Sequence, residues 1–163
     1  MNPHYVRYLE KKYEPLYSGR YGGFCVDDGW FNLINTLSYE LCRKWLDAKY
    51  EYEFALANRG TKDMWGRMID DARVRELKKK VDEEHKVVPR AAQIKEKFGG
   101  LRFYVGSASK EQHEMIWYTE SISNRVCERC GARGRHRPTG WIKTLCSKHY
   151  KEFRDQRNND EDI

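Results

Sequence analysis

Apolar residues in this chain recur at helical steps toward the front, alternate with polar ones in the middle, and thin out toward the end. From Trp30, the positions Leu33, Ile34, Leu37, Leu41 and Trp45 follow one another at intervals of three and four, which puts them on one face of a helix. Asp27 and Asp28 stand before it, where carboxylates meet the positive end of the helix dipole. The pattern extends through Tyr50, Phe54 and Leu56 to the stop signal Asn58-Arg59-Gly60, so a helix is predicted over about 30–58. Lys49–Phe54 also alternates and fits a strand as second choice. Thr61 caps a predicted second helix over about 62–86, with Trp65, Met68, Ile69, Ala72, Leu77 and Val81 inward. Its spacing is ragged enough to imply a bend or a break. Upstream, Tyr5, Val6, Tyr8 and Leu9 predict a short helix over 3–13 that Pro15 stops. Tyr17–Gly29 reads as an irregular loop pinned by its aromatic residues.

After Pro89 the period changes to two. Ile94, Glu96 and Phe98 alternate with Lys95 and Lys97, and Leu101, Phe103 and Val105 with Arg102 and Tyr104, predicting a hairpin over about 93–105. With Gly99-Gly100 as the turn, Phe98 pairs with Leu101, Lys97 with Arg102, Glu96 with Phe103 and Lys95 with Tyr104. One face is then apolar except for Glu96, and the other carries Lys95, Lys97, Arg102 and Tyr104. A carboxylate on an apolar face either does chemistry, pairs with a cation or reaches solvent at the sheet edge. Ser107 or Ser109 starts a further helix, over about 108–124.

The strongest chemical signal follows. Cys127-Glu128-Arg129-Cys130-Gly131 and Cys146-Ser147-Lys148-His149 are two ligand pairs, each with a two-residue gap, separated by fifteen residues. Thiolates and an imidazole at that spacing form the donor set of a tetrahedral zinc site, and Gly131 supplies the positive φ that such a knuckle uses. Four protein ligands leave no open position for water, so one structural zinc is expected at Cys127, Cys130, Cys146 and His149, and not a catalytic one. Knuckle, hairpin-sized insert and ligands at a helix start resemble the treble-clef zinc finger over about residues 125–157, a fold that hosts nucleic-acid binders, protein-binding modules and some nucleases. The remaining cysteines, Cys25 and Cys42, are expected to be buried free thiols.

The segment Ile94–Tyr104, together with Gly29-Trp30 and the Cys-x-x-Cys-Gly and Leu-Cys-x-x-His elements, resembles short phage and prophage proteins that bring no established activity with them. That resemblance implies a phage or mobile-element origin and the bacterial host cytoplasm. The chain is expected to be α+β: a body over 1–124 with a helical N-terminal part and a central antiparallel hairpin, a zinc module over 125–157, and a frayed acidic tail over 158–163.

Charge adds a direction. Net charge is +6 over 163 residues, yet residues 125–157 hold ten Lys/Arg against three Asp/Glu. A basic concentration of this kind attracts phosphate backbones or an acidic protein face. Arg133, Arg135, Arg137 and Lys143 are therefore the expected contact residues, joined by Lys95, Lys97, Arg102 and Tyr104 of the hairpin. Trp141 is expected to pack over the metal. No phosphate-binding loop, zinc-protease or nucleophile-elbow motif occurs in the chain. The expected function is non-catalytic binding to nucleic acid or to a bacterial nucleic-acid or defence enzyme, with inhibition as one form. The enzyme alternative is a small nuclease or nucleotide-handling protein using Glu96, Arg102 and His136. No apolar run approaches the roughly 20 residues that span a bilayer, so no membrane partner is expected.

Overall fold

The computed structural model describes residues 1–19, 21–137 and 140–161, with side chains followed to Gln156. Its helices are α1 (Pro3–Lys12), α2 (Glu14–Tyr17), α3 (Phe31–Ala57), α4 (Asp71–Val87), α5 (Lys110–Ser123) and α6 (Ser147–Glu161). Its strands are β1 (Phe24–Cys25), β2 (Ala91–Lys97), β3 (Gly100–Val105), β4 (Arg135–Arg137) and β5 (Lys143–Leu145). The architecture is α+β.

The axis of the molecule is α3, whose 27 residues extend about 40 Å at 1.5 Å per residue. Its periodic face, Ile34, Leu37, Leu41 and Trp45, is buried as the pattern requires, and Lys49–Phe54 is helical. Trp30 sits in a 3₁₀ turn, Asp28–Trp30, that leads into α3, and it is fully buried. The main core gathers Leu9 and Leu16 of the front helices with Tyr13 between them, the buried face of α3, Ile94, Leu101 and Phe103 of the hairpin, and Ile116 of α5. Tyr17, Tyr21 and Phe24 pack ring against ring and fix the glycine-rich loop.

α4 returns antiparallel along the far half of α3, with Arg59 against Asp71, Lys80 against Glu51 and Trp45 against His85. It starts nine residues later than predicted, because Asp63 ends the helical option at Thr61. The Asp63 carboxylate accepts the amide N–H groups of Trp65 and Arg67, and Lys62 bridges to Met68, which makes 61–69 a tight turn. Asp70 is the true cap, accepting from the Arg73 amide. Trp65, Met68 and Ala72, expected inward, are exposed, whereas Ile69 and Leu77 form a small second cluster with Ala55.

The hairpin's turn lies one residue earlier than expected. Phe98 and Gly99 are its central residues, with φ of 55° and 76°, as a two-residue turn with two left-handed positions demands. Lys97 pairs with Gly100, Glu96 with Leu101, Lys95 with Arg102 and Ile94 with Phe103. This corrects the predicted register by two residues, and an even shift leaves each side chain on its predicted face. The exception is Phe98, which leaves the core for the turn and is exposed. Gly100 belongs to the strand, where a Cβ would lie 2.8 Å from Asn124 Oδ1. β1 pairs with β2 in parallel, and α5 covers the other edge: Ser123 Oγ accepts from the Leu101 amide and Glu120 Oε1 from the Phe103 amide. A capping box of Ser109 and Gln112 starts α5.

Residues 125 onward are stitched into this body. The Gly29 amide donates to Glu128 O (2.8 Å), Trp30 Nε1 to Val126 O (2.9 Å) and Thr144 Oγ1 to Gly99 O (2.6 Å). The acidic tail expected over 158–163 is helical backbone as far as Glu161, and its last two residues lie outside the described ones.

Candidate metal centre and the cationic face beside it

Cys127 and Cys130 bracket a knuckle closed by Gly131 N donating to Cys127 O (2.9 Å) and Cys127 N donating to Ala132 O (2.8 Å), with Gly131 at φ 77°. Cys146 immediately precedes α6, in the capping position, and its sulfur accepts the His149 amide. That hydrogen bond holds the Cys146 thiol below its ordinary pKa and so favours the thiolate, the form that binds metal. The helix also brings His149 round one turn to the same point.

The four donor atoms lie within 4.8 Å of one another. His149 Nδ1 is 3.4 Å from both Cys127 Sγ and Cys146 Sγ, and Cys130 Sγ is 3.9 Å from Cys146 Sγ. An ion at the tetrahedral centre of bonds about 2.3 Å to sulfur and about 2.0 Å to nitrogen requires separations of about 3.8 Å between sulfurs and about 3.5 Å from sulfur to nitrogen. These three separations match, so the cluster is consistent with a metal site; the donors alone do not name the element. His149 Nε2 faces Glu152 Oε2 at 3.8 Å, a carboxylate placed to orient the ring.

The body fits the knuckle backbone closely. A Cβ on Gly29 would fall 2.1 Å from Cys127 O and 2.6 Å from Cys130 N, so no other residue seats the knuckle there. Between Cys127 and Cys130 Glu128 is buried, with Lys143 Nζ 2.5 Å from Oε1 and, among the described residues, no hydrogen-bond partner at Oε2. Burial raises the Glu128 carboxyl pKa against the opposing pull of Lys143.

That ion pair engages Lys143, one of the expected contact residues. Arg137 is engaged too: it is 7% exposed, donates from Nε to Leu145 O (3.3 Å) and lies 4.5 Å over the Tyr150 ring. Arg133 and Arg135 are exposed, and with Asn124, Arg125, His136, Ser147 and the buried Arg137 they line a cavity of about 570 Å³. Among the described residues, Arg125, Arg133 and Arg135 have no carboxylate partner. The α4 lysines do: Lys78, Lys79 and Lys80 face Asp82, Glu83 and Glu51.

On the hairpin, Lys95 Nζ sits 5.3 Å from the Tyr104 ring centroid and Lys97 Nζ 5.4 Å from that of Phe98. Arg102 Nη1 donates to Leu101 O at 2.7 Å. The hairpin face and the cavity meet at Asn124. A Cβ on Gly100 would lie 3.0 Å from Arg102 Nη1 and 2.8 Å from Asn124 Oδ1, and that same oxygen accepts from His136 Nε2 at 3.1 Å. Asn124 and Arg125 were not singled out from the sequence. The signal was there in the bridge that a Cys-x-x-Cys knuckle makes with its return strand, Val126 to Arg133, which sets Arg125 beside the arginines that follow.

The enzyme trio takes separate partners. Glu96 Oε1 accepts the Gly99 amide at 2.6 Å and Oε2 the Trp141 indole at 3.1 Å, so this carboxylate closes the turn. Arg102 projects from the opposite face of the hairpin, and His136 is held by Asn124. Trp141, expected over the metal, is exposed and bonded to Glu96; Pro138 and Thr139 of its predicted turn lie outside the described residues. Cys25 is exposed, correcting its expected burial, whereas Cys42 is buried and burial pushes its thiol up to about 12.

A second cavity, about 680 Å³, lies at the other end of α3 among Tyr50, Phe54, Met64, Trp65, Met68 and Leu77. No helix among the described residues is long and apolar enough to cross a membrane. No family description, curated protein or solved structure matches this chain.

Proposed function

We propose that this is a non-catalytic, zinc-dependent binding protein whose arginine cavity takes the phosphate backbone of nucleic acid. The observation that carries the reading is the cavity of Arg125, Arg133, Arg135 and His136, whose guanidinium groups are exposed and unneutralised by any described carboxylate. Guanidinium is the side chain best matched to phosphate oxygens. Zinc is the ion proposed at Cys127, Cys130, Cys146 and His149, since closed sites of three thiolates and one imidazole suit it and reject harder cations. The order of knuckle, β4–β5 hairpin and ligand-bearing helix supports the treble-clef reading. In this account zinc rigidifies the platform and the arginines do the binding. The resemblance to phage proteins supports action in the bacterial cytoplasm.

A second reading is inhibition of a bacterial nucleic-acid or defence enzyme through its acidic face. The exposed Tyr50, Phe54, Trp65 and Met68 around the second cavity favour it, because nucleic-acid backbones have no use for such a patch. Titration of labelled oligonucleotides at several salt concentrations separates the two. Backbone binding gives affinity that falls steeply with salt, and Arg125→Ala/Arg133→Ala/Arg135→Ala flattens the slope by about 2 while zinc content stays at one per chain. No affinity for any nucleic acid at low salt would leave the inhibitor reading in its place.

A further inference from the structure

Two large aromatic residues on α5 take no part in the core. Trp117 is 69% exposed and Tyr118 64% exposed, although the helix buries Ile116 and Ser123 on its other side. Their position on the helix connects them to the arginine cavity. Trp117, Ser121 and Asn124 are spaced by four and three residues, so they form one stripe along α5, and Asn124 at its end still has helical φ and ψ of −65° and −5°. Asn124 lines the cavity, and Arg125, next in the chain, lines it too. Seven residues at 1.5 Å each put Trp117 about 10 Å from Asn124 along the helix axis. Between Trp117 and the cavity the same side of α5 carries Ser121, whose hydroxyl donates to Trp117 O, and Glu120, whose Oε1 is engaged by the Phe103 amide.

Cations that hold phosphates, next to a flat exposed ring within one or two nucleotide lengths, form the combination that binds an unpaired strand: the groove takes the backbone and the ring takes a base. A duplex keeps its base faces stacked inward and has nothing to offer Trp117. We infer that the ligand of the arginine cavity is single-stranded nucleic acid, with a phosphate among Arg125, Arg133 and Arg135 and a neighbouring base stacked on Trp117. This inference rests on the nucleic-acid reading above and narrows it. Nothing in stacking or phosphate contact distinguishes DNA from RNA here, so both strands serve as probes.

The test uses the zinc-loaded full chain and fluorescence anisotropy of end-labelled twelve-nucleotide strands, in DNA and in RNA, against the same sequences as duplexes. Wild-type protein, Trp117→Ala, Trp65→Ala and Arg133→Ala/Arg135→Ala are compared, with zinc content and thermal melting as folding controls. The expected result is preference for one or both single strands over the duplex by about tenfold or more. Trp117→Ala should weaken single-strand binding about tenfold, leave duplex binding unchanged and abolish the strand-induced quenching of tryptophan emission, while Trp65→Ala changes none of these. Equal or tighter duplex binding, or single-strand affinity untouched in Trp117→Ala but lost in the double arginine variant, overturns the inference and leaves the nucleic-acid reading standing. Absence of binding to every probe overturns both.

Discussion

The two ends of α3 are built on different principles. At its N-terminal end, Trp30 is fully buried, its indole donates to Val126 O, and Gly29 lies against the Cys127–Cys130 backbone with no room for a side chain. At its C-terminal end, α3 and α4 hold a small cluster of Ala55, Ile69 and Leu77 with Tyr52 and Val74 packed against it, and Tyr50, Phe54, Trp65 and Met68 are left in solvent. The first end depends on backbone shape and a four-ligand cluster, the second on a few apolar contacts and a row of surface ion pairs that each contribute roughly 0–1 kcal/mol. One end is therefore expected to fail as a unit with the metal, and the other to yield locally.

The sharpest way to break this contrast is to remove the metal. Cys146→Ser, or a chelator, should abolish the cooperative unfolding transition of the main core and change the near-ultraviolet signature of Trp30, because the free energy of metal binding at such sites is folding free energy, roughly 10 kcal/mol or more. An intact Trp30 environment in metal-free protein would show that the knuckle is a mere appendage. Lys143→Met comes next. It leaves the buried Glu128 carboxylate uncompensated and should cost about 3–5 kcal/mol in urea unfolding. Gly29→Ala, an overpacking change against backbone, should cost about 3 kcal/mol and weaken metal affinity in a competition assay. At the far end, Leu77→Ala should cost about 2 kcal/mol, with hydrogen exchange accelerated in α4 alone and metal affinity unchanged. Trp65→Ser should shift stability by no more than about 0.5 kcal/mol. A far-end substitution that altered metal affinity would erase the distinction between the ends.

Much of this was legible in the residues, and the failures share a cause. The α3 face, the hairpin's two faces and the Cys/His cluster were all readable, because each is set by a local period or spacing. Phe98 was misplaced because Gly99-Gly100 looks like a turn by composition. Gly100 is a glycine for a different reason, since Asn124, distant in sequence, leaves no space for a Cβ there, while Phe98 and Gly99 make the turn. The start of α4 was misplaced because Asp63 captures two backbone amides, a competition that an apolar count does not register. Charge alone does not tell a buried pair from an exposed one, so the engagement of Arg137 and Lys143 shows only in the burial of Glu128 and the ring of Tyr150. Arginines without acids beside them, Arg125 among them, could be recognised only once the carboxylates had been placed.

The covering of β3 by α5 limits how this protein can meet other chains. With the Leu101 and Phe103 amides already donating to Ser123 and Glu120, that strand has no free main-chain donors at these positions with which to recruit an extended peptide. On the opposite margin of the sheet, β1 is only two residues long. Growth of the sheet from either side, the usual beginning of ordered aggregates, therefore has little template here, and recognition falls to side chains displayed on faces.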